Sequence, residues 1–152
     1  MRVWRLTRVG FTALDGSGPM RHGARYSSPG RPVVNFASEA GLAVLVALRY
    51  LPEDPGERPS DFVLGWTEIE ALPEHVPDGN EPAIRVWVDE WLDSRRSLLA
   101  ALPSRVLPEA DIIMMNPLHP DAAKVAPLRM RPFDFDQCLH RPPMLDTYRI
   151  AE

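Results

Sequence analysis

The sequence predicts a single α+β domain in which the short strands of a mixed sheet are flanked by helices. Its 152 residues suffice for one hydrophobic core and are too few for two domains of ordinary size. Its apolar segments are short and differ in period, alternating loosely from Val3 to Val9 and recurring at helical spacing from Ile84 to Leu92. The 17 prolines fall mainly between such segments, which indicates short elements joined by rigid turns.

The N-terminal third predicts two strands separated by a long loop. Val3 to Val9 is the first predicted strand, and Pro32 to Phe36 is a short, buried second one. Between them, residues 15–32 contain four glycines among serines and prolines. Because glycine lacks a Cβ, we expect this loop to bring backbone close to a ligand.

A helix is predicted directly after the second strand. Ser38 is its expected N-cap, and Glu39 in the first turn suits the helix dipole. The helix reaches Leu51 and is stopped by Pro52. Since it is apolar almost all round, we expect it in the core.

The remainder of the chain predicts further strands, a long amphipathic helix and a short one. The predicted strands are Phe62–Ile69, Ser97–Leu102, Asp111–Asn116 and Leu128–Phe135, with proline-rich connections at 52–60, 73–82 and 103–109. The tryptophans of the amphipathic helix, Trp87 and Trp91, are interpreted as core packing rather than as a stacking platform for a ligand. Asp121 is the expected cap of a short helix that runs through Val125, and the tail after Cys138 is expected to be mobile.

Composition narrows the functional classes. A net charge of −4 with mixed signs does not indicate a nucleic-acid binder. No apolar run approaches the length of a membrane span, and Met1 to Arg8 is not followed by the apolar region of a secretory signal, so we expect a cytoplasmic protein. The single Cys138 and four scattered histidines show no ligand spacing, so no metal site is expected.

Two loop residues are candidates for ligand contact on chemical grounds. Arg25 follows Gly23-Ala24 ahead of a strand, where a guanidinium beside small residues can hold a pyrophosphate through paired hydrogen bonds. Ser104 follows Pro103 at the end of an apolar strand and lacks the patterns of a triad nucleophile, so a hydrogen bond to a ligand suits it better. The structural alternatives are an exposed loop arginine and a simple turn serine.

Three segments, taken in order, resemble the RES domain, a family named for an arginine, a glutamate and a serine. They are Gly23-Ala24-Arg25-Tyr26-Ser27-Ser28-Pro29-Gly30, Leu102-Pro103-Ser104-Arg105-Val106-Leu107-Pro108 and Asn116-Pro117-Leu118-His119-Pro120-Asp121. The resemblance covers roughly Trp4 to Leu139 and implies one RES-like domain over 1–152, with its core at about 4–139 and a C-terminal tail at 140–152. Members of the family have a fold similar to ADP-ribosyltransferase toxins, an α+β core with a cleft for NAD.

The resemblance also implies an activity and a set of site residues. Studied members are bacterial toxins that consume NAD as a substrate, and NAD is therefore the expected substrate here. Arg25 would hold the pyrophosphate, Tyr26 would stack near the nicotinamide or ribose, and Ser104 would orient the ligand. The NAD-binding candidates are Arg25, Tyr26, Ser27, Arg31, Asn35 and Ser104, the catalytic candidates are Arg25, Ser104 and Glu39, and the residues expected to support the pocket are Asn116 and His119.

Departures from the family pattern leave two functions open. The family glutamate aligns with Val46, and Asn35 and Tyr50 stand where a tyrosine and a histidine are usual. A carboxylate can stabilise an oxocarbenium-like centre in NAD cleavage, and valine cannot. The chain is then either a toxin that cleaves NAD by phosphorolysis, hydrolysis or ADP-ribosyl transfer, or an impaired homologue that binds a nucleotide or a partner without turnover.

The resemblance implies a partner as well. RES toxins are held in check by an Xre-type antitoxin, which carries a helix-turn-helix and covers the cleft with its C-terminal region. An arginine-lined cleft of Arg25, Arg31 and Arg49 would suit an acidic or carboxylate-terminated inhibitor segment. We therefore expect a hetero-oligomer in which DNA contact comes from the partner.

Overall fold

The α+β prediction is confirmed by a computed structural model, which describes residues 1–139. The strands are β1 (Arg2–Arg8), β2 (Val34–Ala37), β3 (Phe62–Glu68), β4 (Glu74–His75), β5 (Leu99–Pro103), β6 (Asp111–Met115) and β7 (Arg129–Pro132). The helices are α1 (Ser17–His22), α2 (Ala40–Leu48) and α3 (Glu81–Ser94), with short 3-10 turns at Val9–Phe11, Pro55–Glu57, Pro120–Lys124 and Phe135–Gln137. The predicted mobile tail at 140–152 lies outside the described residues.

The strands form one mixed sheet in the order β4-β5-β6-β2-β1-β3-β7. Only the β4–β5 pairing is parallel among the described strands. Strand β5 pairs with β6 from Leu99 opposite Met115 to Pro103 opposite Asp111. This register places the turn at 104–110 at one end of β6 and Asn116 at the other.

Both longer helices cover the same face of the sheet. On β6, Met114 packs in a cluster with Val88 and Trp91 of α3, whereas Ile112 also contacts the cluster around Leu42 of α2. Residues two apart on a strand share a face, so α2 and α3 lie side by side on it. The opposite face, with Ile113 and Met115, is covered by loop residues such as Leu14, Val125 and Leu128.

The sheet is nearly split between β1 and β2. These strands share a single paired position, Trp4 opposite Ala37, whereas β1 and β3 pair along their full length. Past that position β1 and β2 diverge, and α1 inserts Pro19 at the opening. The divergence creates space next to the face that carries α2.

Helix α2 differs from its prediction at both ends and in its burial. Its N-cap is Glu39, whose side chain makes no capping bond, and Ser38 instead accepts a hydrogen bond from the backbone N–H of Asp111 at 2.8 Å. The helix ends at Leu48 rather than Leu51. It contacts the sheet on one side only, so Leu42 is fully buried while Leu45 is 37% exposed.

Four other local predictions need correction. The loop at 15–32 contains α1, and the connection at 73–82 contains β4. The 3-10 turn at Pro120–Lys124 is capped not by Asp121 but by His119, whose Nδ1 accepts from the Asp121 backbone N–H at 3.1 Å. The last strand is shorter than predicted, because the chain turns after β7 and buries Phe135 against Phe62.

Among the described helices, none has both the length and the apolar character needed to span a membrane.

Candidate functional site

A cavity of about 320 Å³ opens between α2, the 24–27 loop and the turn after β5. Its volume falls in the range of small-molecule sites, about 300–1,000 Å³. Three segments that are distant in sequence supply its walls. The lining residues are Ala24, Arg25, Tyr26, Ser27, Val33, Asn35, Val46, Arg49, Tyr50, Ser104, Arg105, Val106, Ile112 and Met114.

Arg25 is fixed at both its backbone and its side chain. Its Nε donates to Oε2 of Glu81, the first residue of α3, at 3.2 Å, and its carbonyl oxygen accepts from Nη2 of Arg85 at 2.7 Å. Its guanidinium lies 5.5 Å from the centre of the Tyr26 ring, which is 9% exposed and packs in the α3 cluster. Arg25 is thus presented to the cavity in a defined orientation.

Two further arginines line the cavity. Arg105 Nη1 lies 4.0 Å from Glu81 Oε2, while Arg49 has no ion-pair partner among residues 1–139. No carboxylate lines the cavity in the part of the chain that the structure describes. The surplus of positive charge suits an anionic ligand.

Ser104 is buried, and its hydroxyl is already oriented. Its backbone N–H donates to the Ala110 carbonyl at 2.9 Å, which closes the turn, and its Oγ accepts from the Val106 N–H at 3.2 Å. The hydroxyl proton has no acceptor among the described residues and is available to a ligand in the cavity that Ser104 lines. This geometry fits a hydrogen-bond donor to a ligand.

The hydroxyl of Ser27 is buried and makes no hydrogen bond among the described residues. The residue is 2% exposed, and its Oγ has no hydrogen-bond partner among the described residues. An unsatisfied buried hydroxyl costs on the order of 1–3 kcal/mol, so a ligand group or water that reached it would be stabilised there.

The next residue anchors this loop to α3. The Ser28 N–H and hydroxyl donate to the two carboxylate oxygens of Asp89, at 2.9 and 2.6 Å.

The floor of the cavity is apolar and continues into the split between β1 and β2. There a second cavity of about 240 Å³ shares five lining residues with the first: Val33, Asn35, Val46, Tyr50 and Ile112. Asn35 projects from β2 at this junction, and Tyr50, 76% exposed, stands at the rim. Because they share these residues, the two spaces are contiguous and form one cleft.

Most of the residues expected from the sequence converge on this cleft, but not all do. Arg25, Tyr26, Ser27, Asn35 and Ser104 line it, whereas Glu39 and Arg31 do not. The N-cap position of Glu39 leaves it exposed at the start of α2, and Arg31 is paired in two hydrogen bonds with Asp93 on α3.

The two expected support residues lie away from the cleft, at the far end of β6. Asn116 is 1% exposed, its Nδ2 donates to the Leu92 carbonyl at 2.9 Å, and its Oδ1 accepts from the Leu118 N–H at 3.0 Å. It therefore joins the end of α3 to the sheet. His119 follows as the cap of the next turn.

Sequence reasoning missed Glu81 and, as a site residue, Arg105. The signal for Arg105 was present, because it is the neighbour of Ser104 in the segment that carries the resemblance. Glu81 follows the N-cap Asn80, whose side chain accepts from the Ala83 N–H, so the local sequence marks a helix start. Its proximity to Arg25, 56 positions away, is purely tertiary.

The fold and the cleft define a class of protein. It is an α+β domain with a ligand cleft that lies beside the divergence of β1 and β2 and is lined by arginines that favour an anionic ligand. Comparison with known proteins narrows this class. Residues 2–136 match the family model described as the RES domain. The chain belongs to the RES domain family.

Similar proteins carry the names of toxins. The chain is 31% identical over 133 residues to "Toxin Res" of Pseudomonas putida strain KT2440, covering 80% of this chain and 88% of that protein. It is 34% identical over 139 residues to the "Prs ADP-ribosylating toxin" of Sphingobium sp. strain YBL2, covering 81% and 84%. Its fold is similar to a chain in the crystal structure of the M. tuberculosis MbcT-MbcA toxin-antitoxin complex, with a TM-score of 0.61, 13% identity and coverage of 87% and 83%.

Proposed function

We propose that this protein is a RES-type toxin of a toxin–antitoxin system that binds NAD and cleaves its nicotinamide–ribose bond. The observation that carries the proposal is the convergence of Arg25, Tyr26, Ser27, Asn35 and Ser104 on one cleft. The similar proteins that are named toxins, one of them an ADP-ribosylating toxin, support it.

Binding follows from the chemistry of the cleft wall. Arg25, held by Glu81 and by the Tyr26 ring, donates paired hydrogen bonds to the pyrophosphate. Ser104 donates its free hydroxyl proton to the ligand and so orients it. Because Tyr26 is buried and the Arg25 guanidinium lies over its ring, it serves mainly as the support of Arg25, and the exposed Tyr50 is better placed to stack on a ring of the ligand.

The chemistry requires stabilisation of positive charge at the ribose. The bond between the anomeric carbon and the nicotinamide nitrogen breaks, and neutral nicotinamide leaves with the electron pair. Water, phosphate or a protein nucleophile bonds to the anomeric carbon, and the proton that it carries is lost to solvent. A carboxylate near that carbon lowers the barrier, but the cleft offers Val46 at the position of the family glutamate. We therefore expect binding to be intact and cleavage to be slow.

The partner is proposed on the same basis. The structural neighbour was solved as a toxin–antitoxin complex, which supports an antitoxin for this chain. We propose an Xre-type protein that occupies the cleft and contributes the helix-turn-helix, with the complex located in the cytoplasm where NAD is available.

Incubation of the purified protein with NAD tests the proposal. Nicotinamide release, measured over time with and without phosphate, reports cleavage, and the melting temperature at millimolar NAD reports binding. Slow release together with a rise in melting temperature is expected. A rise without any release would leave a nucleotide-binding homologue that does not turn over, and the absence of both would refute NAD as the ligand.

A further inference from the structure

One carboxylate organises the basic wall of the cleft. Glu81 Oε2 lies 3.2 Å from Arg25 Nε and 4.0 Å from Arg105 Nη1, while its Oε1 lies 3.6 Å from Arg85 Nη2. Three guanidiniums from three separate elements therefore surround a single carboxylate. All four side chains are 34–47% exposed, so the cluster is accessible to a ligand.

The charges in this cluster do not balance. One carboxylate offsets one of the three guanidiniums, and the described residues provide no second carboxylate for Arg25 or Arg105. Arg25 and Arg105 line the cavity, whereas Arg85 is directed to Glu81 and to the Arg25 carbonyl. The excess charge is therefore presented on the cavity side.

The shared oxygen also brings the two cavity arginines near one another. Because both nitrogens lie within 4.0 Å of Glu81 Oε2, they are held near one another although their backbones belong to different loops. Each guanidinium has further N–H groups that Glu81 does not use. Two neighbouring anionic groups can thus be met at once, one by each arginine.

We propose that Arg105 is a second phosphate-binding residue and that Glu81 is a positioning residue, so that Arg25 and Arg105 together select a diphosphate over a single phosphate. This inference deepens the proposed function and rests on it for the identity of the ligand. Arg25 bonds one phosphate and Arg105 the adjacent one, across the bridging oxygen. A monophosphate contacts only one of the two guanidiniums and therefore binds more weakly than a diphosphate.

Arg105→Ala is the first test, with ADP, AMP and adenosine as probes in calorimetric titrations. A charge-assisted hydrogen bond contributes about 1.5–3 kcal/mol, or on the order of tenfold or more in affinity. Arg105→Ala is expected to reduce the preference for ADP over AMP by about tenfold and to leave adenosine unchanged. Arg129→Ala on the far edge strand is the matched control, since it removes the same charge away from the cleft.

Glu81→Ala and the near-isosteric Glu81→Gln test the positioning role. Without the carboxylate the two guanidiniums lose their common anchor, so both variants are expected to lower the ADP:AMP preference by about fivefold or more, because preorganisation is lost. Glu68→Ala removes another exposed carboxylate that pairs with an arginine, Arg2, and is expected to leave the preference unchanged. A merely structural role of Glu81 would weaken both nucleotides alike.

The outcomes separate this inference from the proposed function. An ADP:AMP preference that stays unchanged in Arg105→Ala or Glu81→Ala overturns the inference, as does a failure of the unmutated protein to prefer ADP. Nicotinamide release is measured independently and bears only on NAD cleavage. If the protein prefers ADP but releases no nicotinamide, the inference stands and the cleavage reaction is refuted. If it releases nicotinamide but does not prefer ADP, the cleavage reaction stands and the inference is refuted.

Discussion

Asp89 on α3 accepts two hydrogen bonds from Ser28, one from its hydroxyl at 2.6 Å and one from its backbone N–H at 2.9 Å. The two residues are 61 positions apart, and the carboxylate is 17% exposed. This pair attaches the loop that contains Arg25, Tyr26 and Ser27 to α3, the helix that contains Glu81. The cleft therefore depends on a contact between two residues, Ser28 and Asp89, that do not line it themselves.

Asp89→Ala is expected to loosen the loop and weaken NAD binding without removing any lining side chain. Loss of a two-pronged, charge-assisted hydrogen bond should lower stability by about 2–3 kcal/mol, or about 5–10 °C in melting temperature for a chain of this size. Thermal unfolding with and without NAD measures both effects. The control is Asp61→Ala, whose carboxylate also accepts two hydrogen bonds, in this case from Arg8, in a pair that lies outside the cleft. If both variants behave alike, the anchoring role of Asp89 is wrong.

Arg25→Ala is expected to abolish the rise in melting temperature that NAD produces, while the protein stays folded. The guanidinium is partly exposed, so its loss removes a ligand contact more than a core contact. Arg25→Lys should restore little, because an ammonium cannot donate in the planar, paired geometry. An unchanged NAD-induced shift in Arg25→Ala would contradict the proposed pyrophosphate contact.

Val46→Glu is expected to increase the rate of nicotinamide release, because it places a carboxylate in the cleft at the position where the resemblance puts one. The buried part of that carboxylate should cost on the order of 1–3 kcal/mol in stability. Val46→Gln is the control of similar size without the charge, and it should not increase release. Rapid release by the unmodified protein would show instead that another group already supplies the missing function.

Acid should remove a stabilising contribution made by Glu74. The hydrogen bond from Arg96 is the main cause that lowers the pKa of the Glu74 carboxyl below its ordinary value of about 4.5. Burial opposes this shift, and the hydrogen bond from Ser97 adds to it. Since the native pKa is the lower one, this contribution is complete above the ordinary pKa and is lost as the pH falls through the native pKa. Glu74→Gln should be less stable than the parent at pH 7, and the difference should shrink below about pH 4.5. Urea unfolding across this pH range measures it, and a constant difference would argue against the linkage.

The proposed antitoxin should compete with NAD. If an acidic inhibitor segment occupies the cleft lined by Arg25, Arg49 and Arg105, then NAD should weaken its binding and the partner should weaken NAD binding by the same factor. Co-purification with the partner followed by titration of NAD measures this coupling. Simultaneous binding without mutual weakening would exclude the model in which the partner blocks the cleft.

Several elements could be predicted from the sequence because their signals are local. The alternation in β1 and the apolar spacing of α3 predict a strand and a helix, and both are present with bounds shifted by a few residues. Trp91 is fully buried, in agreement with its interpretation as core packing. By contrast β4 was missed, because two residues carry no period. It exists through parallel pairing with β5 and through the bonds of Glu74 to Arg96 and Ser97.

The same division applies to the candidate site. Arg25 and Ser104 could be chosen from their segments, since each residue type and its neighbours carry a chemical signal. The positions of Arg31 and Glu39 outside the cleft could not be predicted from the sequence. They depend on how the elements pack together, as the pairing of Arg31 with Asp93 of α3 shows. Similarly, the almost entirely apolar sequence of α2 predicts full burial, but Leu45 on its outer side remains 37% exposed.

What the sequence determined by itself was the family, the α+β class and the identity of the polar groups available for a ligand, because these depend on residue types and short spacings. The tertiary structure decided which charges meet. Gly16 illustrates the role of tertiary structure at the backbone level. Its φ of 68° and its close approach to Val33, where an added Cβ would lie 2.5 Å from the backbone nitrogen, allow the 15–32 loop to pack there. Glu81 illustrates it at the site, since only the docking of α3 against the Arg25 loop brings one carboxylate between guanidiniums from three elements, and distances of this kind are not encoded in any local pattern.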